Sequence, residues 1–118
     1  RAPYLKEFAE RVAAAEINPE HWETSQASSA ELRRDICRVK GMGTYAAEGL
    51  MRLLGRVDVL AVDSWCLAKY QRLYGTRKRP TAAQLQRRYR RFGPWRGLAM
   101  WLDLTRDWHD SSQPPSWP

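Results

Sequence analysis

Two glycines one residue apart, in Val39-Lys40-Gly41-Met42-Gly43, end one apolar helical stripe and lead straight into the next. A turn of that kind presents the first N–H groups of the following helix without intrahelical partners, with the positive end of the helix dipole behind them. Such an end binds phosphate without regard to nucleotide sequence. Glycine suits it because a missing Cβ lets another backbone come close. The same glycines also punctuate an ordinary αα turn, and the spacing by itself does not choose between the two. A second feature with chemical potential is Asp63-Ser64. Placed at a helix start, Asp63 acts as an N-cap, and the cap bond would hold its carboxylate in one position.

The charge supports a polyanionic partner. The net value is +7, and its location is uneven. Ten basic residues lie between Ser64 and Leu102: Lys69, Arg72, Arg77, Lys78, Arg79, Arg87, Arg88, Arg90, Arg91 and Arg96. That stretch holds no Asp or Glu, while the rest of the chain is net acidic. A polyanion, double-stranded DNA being one, is the natural partner of that charge, and a solvated basic face without a partner is the alternative. Arg87, Arg88, Arg90 and Arg91 cover more than half of a helix circumference, so they do not all face one surface. Cys37 and Cys66 are too few for a disulfide framework and suit a reducing compartment. His21 and His109 lack cysteine or carboxylate company at ligand spacing, so no zinc is expected. No apolar run approaches the roughly 20 residues of a membrane span, and no membrane partner is expected. A cytoplasmic location is expected, nucleoid-associated in a bacterium.

Helices must position these residues. Leu5, Phe8, Ala9 and Val12 form one stripe. Asn18-Pro19-Glu20 opens a short helix toward Trp22. Ser28 with Glu31 is a capping box for a helix carrying Leu32, Ile36 and Val39 inward. Beyond the hairpin, Ala46, Leu50, Leu53 and Leu54 form the next stripe, ended by Gly55. Val57 to Val62 is β-prone but has no strand to pair with, and is expected as a buried extended connector. The helix after Asp63 carries Cys66, Leu67, Tyr70, Leu73 and Tyr74 inward. A basic loop from Gly75 to Pro80 precedes a capping box, Thr81 with Gln84, and the stripe Ala82, Leu85, Tyr89 and Phe92. Gly93-Pro94 separates it from a last helix, with Trp95, Leu98, Leu102 and Thr105 on one side. These segments predict an all-α fold, a compact bundle of about seven short helices. Residues 1–110 are expected as one domain and 111–118 as a flexible tail.

The chain resembles the helix-hairpin-helix DNA glycosylase superfamily. The carrying residues are Val39-Lys40-Gly41-Met42-Gly43-Thr44-Tyr45-Ala46-Ala47, then Ala61-Val62-Asp63-Ser64, with 18 residues from Tyr45 to Asp63. The segment Pro94-Trp95-Arg96-Gly97-Leu98-Ala99 is similar to the alkylpurine (3-methyladenine) branch. The resemblance runs from about Arg1 to Trp108. It implies an enzyme that flips a damaged nucleotide out of the duplex and hydrolyses its N-glycosidic bond, with an alkylated purine as the base. In that reaction Asp63 is the catalytic carboxylate, stabilising an oxocarbenium-like sugar or orienting the attacking water. Lys40, Gly41, Met42, Gly43, Thr44 and Tyr45 would contact DNA. Arg96 is a candidate for phosphate contact or for pairing with an acid. Trp65, two residues from Asp63, is the candidate for stacking on the flipped base, with core packing as its alternative. The backbone carbonyls of Cys37, Val39 and Met42 match the positions that hold a structural K+ or Na+.

The departures from the family pattern are as specific. Bifunctional members carry a lysine where this chain has Tyr45, so strand cleavage through a Schiff base is not expected. Lys40 stands where many members have proline. The four clustered cysteines of the iron–sulfur branch are missing, so no cluster is expected. The family core has two helical lobes with the base pocket between them, and the chain corresponds to the second. A partner is therefore expected, either the first lobe or a second copy in a homodimer, and these 118 residues alone are expected to be inactive. Two other readings remain: a non-enzymatic module that grips duplex backbone, and a protein-interaction domain that docks the missing lobe or another copy.

Overall fold

The computed structural model describes residues 2–109, except the side chain of His109. The expected tail, 111–118, lies outside the described residues. Among those described the fold is all-α. Its helices are α1 (Ala2–Ala13), α2 (Glu20–Thr24), α3 (Ser29–Cys37), α4 (Thr44–Leu53), α5 (Ser64–Tyr74), α6 (Ala82–Tyr89) and α7 (Arg96–Leu104). Short 3-10 segments, Arg90–Trp95 and Arg106–His109, flank α7. No described helix is long and apolar enough to cross a membrane. The chain divides into two compact units, residues 1–56 and 57–118.

In residues 1–56 the core is built by α3 and α4. Ser28 caps α3 with both bonds of its box: its hydroxyl accepts from the Glu31 N–H, and the Glu31 carboxylate accepts from the Ser28 N–H. Leu32, Ile36 and Val39 are buried, as their spacing predicts. On α4 the buried residues are Ala47 and Met51, one position on from the stripe read in the sequence, and Leu53 is 83% exposed. Both faces of α4 carry apolar residues, and the tight turn before it fixes which one meets α3. Arg56 closes the unit from its far end. Its guanidinium donates from Nη1 to the Ala27 carbonyl at 2.8 Å and from Nη2 to the Ser25 carbonyl at 2.6 Å. Helix α1 buries no residue fully, and Leu5, which the sequence pattern turns inward, is 70% exposed.

In residues 57–118 the core comprises Leu60, Cys66, Leu85, Tyr89, Met100 and Leu104. The segment expected as a buried extended connector has no strand: Val57 and Asp58 form a turn, 59–62 has no regular secondary structure, and of its residues Leu60 and Ala61 are buried. It crosses α7 at Gly97. A Cβ there would lie 2.1 Å from the Val59 carbonyl oxygen and 2.7 Å from that of Val57. The Val57 oxygen accepts from the N–H groups of Gly97 and Leu98 at 2.8 and 3.1 Å. This contact selects the buried face of α7: Gly97, Met100 and Leu104 turn inward. Trp95, Leu98 and Leu102, read from the sequence as the inward side, are exposed, and only Thr105 of that set is buried. Phe92 is exposed as well, because α6 ends at Tyr89 and Gly93, at φ 54°, breaks the helical path.

Polar bonds between distant residues tie the helices of this unit together. Asp103 on α7 accepts from the hydroxyls of Tyr74 on α5, at 2.6 Å, and Tyr89 on α6, at 2.5 Å. The Arg88 guanidinium lies 4.4 Å from the Tyr74 ring centroid. Burial raises the Asp103 carboxyl, but the two tyrosine hydroxyls and the charges of Arg106 and Arg88 outweigh it and hold the group below its ordinary range. Burial, followed by Asp103, pushes the Tyr89 phenol well above its ordinary value. Lys69 is only 5% exposed, and its ammonium bonds the Asp107 carboxylate at 2.5 Å.

Candidate nucleic-acid interface

The hairpin is a real tight turn. The Met42 N–H donates to the Val39 carbonyl at 2.9 Å, and Gly41 has φ 89°, a region that L side chains rarely adopt. Gly41 also packs against α1, because a Cβ there would lie 2.9 Å from Cδ2 of Tyr4. Gly43 differs. It is extended, at φ −83° and ψ 177°, and a Cβ would meet nothing within 4 Å. Its conformation therefore does not require glycine, whereas that of Gly41 does.

Gly43 is the N-cap of α4 and supplies no side-chain cap. Thr44 and Tyr45 form the first turn of the helix, and both are exposed, Tyr45 by 69%. This end of α4 thus combines an uncapped dipole with open space at Gly43. Lys40 is already engaged: its Nζ lies 3.0 Å from Oε2 of Glu7 on α1 and 5.6 Å from the Tyr4 ring centroid. Met42 is half-buried. The oxygens of Cys37, Val39 and Met42 belong to the end of α3 and the turn, and that of Val39 accepts from Met42. Neutral carbonyl oxygens are donors of the kind that hold K+ or Na+.

Asp63 caps α5. Its Oδ1 accepts from the Cys66 N–H at 2.7 Å, while Oδ2 accepts no hydrogen bond among the described residues. The residue is half-buried, and the cap bond fixes one of its two oxygens. Trp65, half-buried on α5, packs its ring 6.0 Å from that of Trp101 and 5.8 Å from that of Trp108. Arg96 is exposed and pairs with no acid among the described residues; its Nε donates to the Asp58 carbonyl at 2.7 Å.

The basic stretch is the feature the structure sharpens most. Among the described residues, Lys69 is its sole member in a salt bridge. Arg72, Arg77, Lys78, Arg79, Arg87, Arg90, Arg91 and Arg96 are exposed, with no carboxylate partner among the described residues. In residues 1–56, by contrast, Lys6, Arg11, Arg33, Arg38 and Lys40 each pair with an acid. The sequence indicated this contrast through the absence of acids from Ser64 to Leu102. It gave no sign of the Lys40–Glu7 pair, the Arg56 clamp or the Asp103 network, whose partners are far apart in the chain. No family model, curated protein or solved structure matches the chain.

Proposed function

We propose that the chain is a DNA-binding domain of the base-excision glycosylase lineage, which grips duplex backbone without reading its sequence. The observation that carries this reading is the set of eight exposed cations between Arg72 and Arg96 that have no carboxylate partner among the described residues. Charge left unneutralised on one unit favours a polyanion, and phosphates release counterions when such residues approach. The uncapped α4 end supplies a second kind of phosphate donor, backbone N–H groups, reached over the bare Gly43. A monovalent cation on the carbonyls of Cys37, Val39 and Met42 would add a positive charge beside them.

The glycosidic chemistry is assigned to Asp63. Fixed by Cys66 through one oxygen, it offers the other to a developing positive charge or to a water. A preorganised carboxylate needs little reorganisation when the sugar becomes oxocarbenium-like. Base release without strand cleavage, from an alkylated purine, is the expected outcome, and Tyr45 supplies no amine for a Schiff base. Cells would need this activity in the compartment that holds their DNA, the cytoplasm or nucleoid of a bacterium. The alternative is a module that binds backbone and performs no chemistry.

One pair of measurements separates these readings. Duplex binding by fluorescence anisotropy tests the grip, and salt-insensitive or absent binding would reject it. Base release from alkylated duplex by the chain joined to the proposed first lobe, followed by alkaline cleavage at abasic sites, tests the chemistry. Full duplex affinity without base release would leave the binding module and reject the enzyme.

A further inference from the structure

The segment from Arg90 to Arg96 exposes rings that its sequence pattern turns inward. Gly93, at φ 54°, breaks the path between α6 and α7, and Phe92, Pro94 and Trp95 on either side are all exposed. Trp95, the largest of them, is 61% exposed. The Arg91 guanidinium lies 4.9 Å from the Phe92 ring centroid, and neither Arg90 nor Arg91 has a carboxylate partner among the described residues. Exposed planar rings in an unneutralised cationic segment call for an occupant with both planar apolar faces and negative charge.

We propose that this segment binds unpaired nucleotides, stacking a base on Trp95 while Arg90 and Arg91 hold the adjoining phosphates; the Phe92 ring is already stacked on that of Tyr89, at 6.2 Å, with Arg91 over it. Aromatic rings with interleaved cations are the usual platform for single strands, because every base has a face to stack and every linkage a charge. A second copy of the chain fits less well, since a two-fold contact here would bring the arginines of both copies together. The proposal deepens the DNA-binding reading and takes its partner class from it. Its evidence, however, lies wholly in residues 57–118 and does not involve the hairpin.

The test compares three probes by anisotropy: an oligothymidine of about 12 nucleotides, within the usual site sizes, a fully paired duplex, and that duplex carrying one unpaired nucleotide. Trp95→Ala should weaken the oligothymidine and the interrupted duplex about tenfold and leave the paired duplex within about twofold. Trp95→Phe should restore most of the loss. Circular dichroism of the variants should match the parent, because the ring is exposed. Equal losses on all three probes, or no loss on the single strand, would overturn the proposal. It would also be overturned if Trp95→Ala abolished binding to phosphatidylserine vesicles, or self-association, and spared the single strand. Gly43→Ala keeps the two readings distinguishable. If it leaves duplex binding intact while Trp95→Ala weakens the single strand, the hairpin reading fails and this one stands. The opposite pattern removes this proposal alone.

Discussion

Replacing Gly41 and Gly43 by alanine, one at a time, should separate stability from DNA binding. At Gly41 the backbone sits at φ 89°, which costs an L-residue about 1–2 kcal/mol. The new Cβ would also lie 2.9 Å from Tyr4 Cδ2 and 3.1 Å from Tyr4 Cβ. Because Tyr4 Cβ itself is close, turning the ring does not clear the contact, and α1 must shift. Helix α1 has no fully buried residue and can yield, so this adds about 1 kcal/mol. Gly41→Ala should therefore destabilise by about 2–3 kcal/mol, a sizeable part of the 5–15 kcal/mol of a typical domain. Gly43 is extended with open space around it. Alanine there reduces unfolded-state entropy by about 0.4–1 kcal/mol, offset by its poorer capping, so stability should hardly change. A phosphate approaching Thr44 and Tyr45 would still meet the added methyl group. Losing one charge-assisted bond of about 1.5–3 kcal/mol weakens binding about tenfold or more. Urea melts and duplex anisotropy measure the two effects. Unchanged affinity in Gly43→Ala would refute a phosphate contact over that residue, and undiminished stability in Gly41→Ala would refute the strain argument.

Asp63→Asn should retain the α5 cap, since asparagine caps as well as aspartate, and on the proposed glycosylase reading should lower base release about 100-fold or more. Asp63→Ala should in addition cost about 1 kcal/mol in a urea melt. Gly97→Ala should destabilise residues 57–118 by at least about 3 kcal/mol, because the obstructing atoms are connector backbone. Stability should also fall in acid. The carboxyls of Asp103 and Asp107 lie below their ordinary range in the folded chain, so their contribution is complete above the unfolded pKa and lost as pH drops through the folded one. Asp103→Asn should flatten that acid limb in thermal melts across pH, and an unaltered slope would exclude Asp103 as its source.

Local signals made the helix starts legible. The boxes at Ser28–Glu31 and Thr81–Gln84 and the cap at Asp63 all form as their spacing predicts. The inward faces of α4 and α7 were not legible, because both helices carry apolar residues on two sides. For α7 the choice is made by Gly97 under the Val57–Val59 backbone, a contact with an irregular segment that leaves no periodic trace. The hairpin could be read from its glycines, but their different duties could not: φ at Gly41 and open space at Gly43 are properties of coordinates. Asp103 and Lys69 were silent in the sequence because their partners lie 14 to 38 residues away.

The central claim is that the unneutralised cations of residues 57–118 grip DNA phosphates. Duplex affinity measured across a series of salt concentrations tests it most directly. If about five of the eight exposed cations reach phosphates, log K should fall with log salt at a slope of about −4 to −5, alike for unrelated sequences. A slope near zero, or an affinity set by nucleotide sequence and indifferent to salt, would contradict the claim.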